Sequence, residues 1–89
     1  MNLQDALYNW LSIRRVTEER PNDQAARDTR EFFEEILEDD HSVQNLEVLT
    51  EDPFYIVVYT VNDEWLTKKY PIDLIDALYE SIKAEPKYN

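Results

Sequence analysis

Eight consecutive residues, Phe54-Tyr55-Ile56-Val57-Val58-Tyr59-Thr60-Val61, are β-branched or aromatic at every position. Such side chains lose rotamer freedom in a helix and pack well on a pleated surface, so the run predicts a strand. It presents large side chains to both faces and therefore predicts the central strand of a sheet, with the remaining residues supplying partners on each side.

Those partners flank it directly. Leu46-Glu47-Val48-Leu49 leads into a turn at Glu51-Asp52-Pro53, and Glu64-Trp65-Leu66-Thr67-Lys68-Lys69 follows Asn62-Asp63. Asn and Asp tolerate left-handed backbone, so the second turn can be a tight hairpin even without the usual glycine. The three runs predict an antiparallel meander. If the first turn holds an even number of residues, Leu46, Val48, Tyr55, Val57, Tyr59, Val61 and Leu66 share one face. The other face then collects Leu49, Phe54, Ile56, Val58 and Trp65, bordered by Glu47, Thr60, Thr67 and Lys69.

Helical spacing dominates on both sides of this block. Asn2 is an N-cap type, and Leu3, Ala6, Leu7, Trp10, Leu11 and Ile13 recur at intervals of three and four, predicting a helix to about Val16. Pro21 breaks it, and Asn22 or Asp23 caps a second helix to about Asp39, with Ala25, Thr29, Phe32, Phe33, Ile36 and Leu37 as its expected buried side. Arg14 falls inside the apolar stripe of the first helix, where its stem is expected to lie along apolar surface and its charge to reach water. After Pro71, the residues Ile72, Ile75, Leu78, Tyr79 and Ile82 mark a third helix that ends at Pro86. The predicted architecture is one small α+β domain over residues 1–85, ordered α-α-β-β-β-α, with residues 86–89 as a short tail.

Three short helices can cover one face of such a sheet but hardly two. The second face is therefore either partly covered by a helix or meets another chain; in the latter case Phe54, Ile56, Val58 and Trp65 are candidate interface residues, an apolar centre with a polar rim, and a homodimer through them is one expectation.

Absent residue types remove whole classes of function. There is no glycine in 89 residues, which excludes dinucleotide-binding turns, phosphate-binding P-loops and calcium-binding EF-hand loops. There is no cysteine either, so disulfides, thiolate catalysis and cysteine-ligated zinc are excluded, and a reducing compartment is expected. Neither a signal peptide nor an apolar run of spanning length is present, so the expected location is the cytoplasm.

Charge supplies the remaining lead. Twenty Asp and Glu against nine Lys and Arg give a formal net charge of −11, which repels nucleic acid and anionic membrane alike. The excess concentrates at Glu34-Glu35-Ile36-Leu37-Glu38-Asp39-Asp40, at the end of the second helix, where the macrodipole disfavours it. Glu34, Glu35, Glu38, Asp39 and Asp40 are accordingly a candidate partner-binding patch. Glu38 and His41 have the Glu-x-x-His spacing of di-iron bundles, but a single copy carrying the chain's one histidine does not make such a site. No serine, histidine and carboxylate fall into a recognisable nucleophilic arrangement.

The expectation is a non-enzymatic, cofactor-free regulator, adaptor or inhibitor that binds a basic protein surface. A mimic of nucleic acid that occupies the groove of a DNA- or RNA-binding protein is the alternative, and a small enzyme or metal protein using His41 is a third class.

Overall fold

Each helix starts where a side chain can satisfy its free amides. In the computed structural model, which describes residues 1–84, Asn2 accepts a hydrogen bond of 2.8 Å from the Asp5 amide and opens α1, Leu3–Glu19. Asp23 accepts one of 3.1 Å from the Ala26 amide and opens α2, Gln24–His41. The α1 helix runs three residues past Val16 because Arg14 and Arg15 pair with Glu18 and Glu19 one turn on. At the other end of α2, Ser42 turns left-handed at φ 57° and its amide closes on the Glu38 carbonyl at 3.1 Å, a capping role usually given to glycine.

The strands are β1 Val43–Glu51, β2 Phe54–Val61 and β3 Glu64–Pro71, followed at once by α3, Ile72–Ala84. They form one antiparallel sheet in the order β1-β2-β3. The element order is the one the sequence predicts. Asn62 and Asp63 carry φ of 52° and 67°, so the second hairpin is a two-residue turn of the primed type built without glycine. The predicted end of α3 at Pro86, the domain boundary at 85 and the tail 86–89 lie outside the described residues.

The β1 strand is longer than the sequence indicates and contains a bulge. Its register with β2 shifts between Gln44 and Glu47, with Asn45 at φ 55°. One extra residue there changes the phase of the strand, so that Val43, before the bulge, and Leu46 and Val48, after it, all turn to the core side. Asn45 Nδ2 donates to Thr60 Oγ1 at 3.0 Å, and Thr60 Oγ1 donates to the Gln44 carbonyl at 3.1 Å, pinning the irregularity to β2.

All three helices lie on one face of this sheet. The α1 helix packs against both α2 and α3, while α2 reaches β1 and α3 reaches β3. Leu7, Leu11, Leu37, Val57 and Ile75 are fully buried between the layers, each contributing roughly 1.5–3 kcal/mol of transfer free energy. A second cluster of Ile13, Val16 and Ala26, flanked by Phe33, Tyr79 and Ile82, joins the helices to one another.

The buried side of α2 is rotated from the predicted one. Ala26 and Leu37 are buried and Phe33, Ile36 and Arg30 half-buried, whereas Ala25 and Thr29 are exposed and Phe32 is 55% exposed. The rotation lets Arg30 reach Thr17 of α1, 3.1 Å away. Phe32 instead meets Phe33 edge to face, with centroids 5.3 Å apart. On α3, Ile75 is buried but Leu78 is 41% exposed, because that helix has α1 on one flank only.

Candidate functional site

The candidate acidic residues divide at Glu34. Its Oε2 accepts from the indole Nε1 of Trp10 at 3.1 Å and from Arg30 Nε at 3.2 Å. Trp10 is almost wholly buried, so this carboxylate satisfies a donor that would otherwise have no partner in the core. Glu35, Glu38, Asp39 and Asp40 are exposed, and among the described residues none of them forms an ion pair.

Four of the arginines pair with other carboxylates. Arg14 pairs with Glu18, Arg15 with Glu19 and Asp76, Arg20 with Asp23, and Arg30 with Glu34. Burial works against the Arg15 cation, but its two carboxylates outweigh that and raise its pKa further. Asp76 also accepts from the Tyr55 hydroxyl at 3.0 Å, tying α3 to β2 and α1 through one carboxylate. Arg14 lies 5.9 Å from the Trp10 ring centroid with its side chain 26% exposed, so its stem lies on apolar surface and its charge reaches water. It stands in an open cleft of about 510 Å³ shared with Arg30, Leu46 and Val48.

His41 is tied into the fold from the other side: its Nε2 lies 3.0 Å from the Met1 carbonyl, a hydrogen bond only if that nitrogen carries the proton. Among the described residues no three His, Asp or Glu side chains come together in a group that could hold a metal ion.

The candidate sheet residues are brought together. Cross-strand pairing aligns Glu47, Val58 and Thr67 in one row, then Leu49, Ile56 and Lys69, then Glu51, Phe54 and Pro71. Trp65 pairs with Thr60 at one end. Among the described residues no helix covers this face. Trp65 is 60% and Leu49 54% exposed, while Phe54, Ile56 and Val58 are half-buried by their sheet neighbours alone. Lys69 Nζ lies 5.6 Å from the Phe54 ring centroid.

The two candidate surfaces do not form one site. The α2 carboxylates belong to the helical layer, and the apolar face is the opposite side of the sheet. Leu74 and Leu78, 47% and 41% exposed on α3, make a smaller apolar strip, of which helical spacing marks only Leu78 as part of the helix's apolar side. In comparisons with known proteins, no family model, no curated protein and no solved structure matches this chain significantly. Among the described residues no helix is long and apolar enough to cross a membrane.

Proposed function

We propose that the chain is a non-enzymatic protein-binding domain, a regulator or inhibitor acting in the cytoplasm, that engages a basic surface of another protein through α2. One observation carries this reading. Glu35, Glu38, Asp39 and Asp40 are exposed and form no ion pair among the described residues, while Arg14, Arg15, Arg20 and Arg30 are neutralised by other carboxylates. The excess negative charge is therefore presented outward from the helical layer, where it speeds encounter with a positive surface and selects among partners.

A nucleic-acid mimic is the narrower reading, supported by the spacing of Glu31, Glu35 and Glu38, which follow one another along one exposed side of α2. The experiment is capture of partners from native lysate at low and high salt, using the wild type and a variant with Glu35, Glu38, Asp39 and Asp40 changed to Gln or Asn. A basic partner retained at low salt and lost with the variant supports the proposal. Its displacement by duplex nucleic acid selects the mimic. A partner bound equally well by the variant, or no partner together with measurable turnover of a small molecule, overturns both.

A further inference from the structure

We infer that the open sheet face is the contact between two copies of this chain, packed sheet to sheet about a twofold axis parallel to the strands. The inference does not depend on the acidic helix surface and uses the opposite side of the molecule.

Charge is segregated away from this face. The open face carries Glu47 and Glu51 on β1 and Lys69 on β3, a net −1 of the chain's −11. The α2 surface, where Glu35, Glu38, Asp39 and Asp40 are exposed, would bring a second copy toward far more of the excess. Sheet-to-sheet packing points both α2 surfaces outward, beyond the screening length from each other at ordinary ionic strength.

The charges on the face are self-complementary in one orientation only. A twofold axis along the strands lays β1 of one copy over β3 of the other. Lys69 then stands over Leu49, the residue paired with Ile56 in its own row, between Glu47 and Glu51. Each of these glutamates is two residues along the strand, about 7 Å, within reach of a lysine stem. An in-plane axis across the strands would instead set β1 over β1 and oppose like charges. The apolar centre of Leu49, Ile56, Val58 and Trp65 is buried in both, so charge chooses the axis.

Size sets the strength. Three strands about 4.8 Å apart and eight residues of about 3.4 Å each make a face of roughly 400 Å², about half of the roughly 800 Å² per partner of a standard interface. A contact of that size belongs to the weak, transient class, and the working expectation is a Kd on the order of 10 µM.

Sedimentation of the full chain over a range of concentrations, at low and high salt, tests this. The wild type should pass from monomer to dimer near that concentration. Val58→Lys should be a folded monomer by circular dichroism, and Trp65→Ser serves the same purpose if the lysine variant does not fold. Lys69→Glu should weaken the dimer by about tenfold, and adding Glu47→Lys and Glu51→Lys to it should restore dimerisation. A wild type that stays monomeric at ten times the expected Kd in both salts overturns the inference. So does a Val58→Lys protein that dimerises normally, or a charge-reversed triple variant no better than Lys69→Glu alone.

Discussion

Glu34 and Glu35 are adjacent in sequence and differ completely in what they touch. Glu34 holds the Trp10 indole N–H and Arg30, whereas Glu35 is exposed and forms no ion pair among the described residues. Removing the Glu34 acceptor leaves a buried donor unsatisfied, so Glu34→Ala should lower stability by about 1–3 kcal/mol while Glu34→Gln, which keeps an acceptor oxygen, loses much less. Glu35→Ala should change stability by under about 0.5 kcal/mol. Urea denaturation of the three variants separates them. Ser12 is the opposite case, a buried hydroxyl oxygen with no hydrogen-bond partner in α1. Ser12→Ala deletes a desolvated polar group and should leave stability unchanged or raise it by up to about 1 kcal/mol. A loss above that size in the same assay would mean that the hydroxyl has a partner.

At the scale of elements, the turns show how a chain without glycine folds tightly. Ser42, Asn45, Asn62 and Asp63 all adopt positive φ, the conformation glycine reaches without steric cost. Asn-Gly is the preferred pair for a two-residue hairpin of this type, so Asp63→Gly should stabilise the β2–β3 hairpin by roughly 0.5–1 kcal/mol. In a domain of this size that raises the melting temperature by a few degrees, readable by calorimetry. The sheet itself makes a sharper test. Val57 is fully buried and Val58 lies on the open face. Val57→Lys puts an unpaired charge into the core and should prevent folding at room temperature, which the loss of near-ultraviolet circular dichroism would report.

For the whole molecule the pH response follows from three tyrosines on the helix-covered face of the sheet. Burial raises the Tyr70 hydroxyl to about 12, helped by Tyr59 and Asp5, and burial raises Tyr59 as well. Burial and then the hydrogen bond to Asp76 raise Tyr55. A folded-state pKa above the unfolded one means that the folded protein holds its proton more tightly. The stabilisation is complete below the unfolded value of 10.0 and is lost as pH climbs through about 12. Tyr70 also donates to the Gln4 carbonyl at 3.3 Å, a bond that only the neutral phenol makes. Thermal melts should therefore fall steeply above about pH 10, and Tyr70→Phe should flatten that limb. An unchanged alkaline limb in the variant would assign the loss to other groups.

The element order, the meander and, given an even first turn, which residues share a face were legible in the sequence because those signals are local, whereas the bulge in β1 was not. The all-β-branched-and-aromatic octet, Asn62-Asp63, Pro21 and the spacing from Leu3 to Ile13 each constrain a few neighbouring dihedrals, and period-two parity then sorts Val57 from Val58. The buried side of α2 was not legible. Phe32 and Phe33 are equally apolar, and only contact with α1 decides that Phe33 turns inward and Arg30 meets Thr17. Nor could spacing separate Glu34 from its acidic neighbours, since its partner Trp10 is 24 residues away on another helix. The sequence by itself determined which residues share a face of each strand and how much charge the chain carries, since both follow from residue order and residue type. The apolar parity face is the one expected to carry the helices and does; only the tertiary structure decided where each helix sits on that layer and which side of α2 turns outward, because that depends on how elements pack around a shared core. It thereby placed the acidic helix and the open apolar face on opposite sides of the molecule.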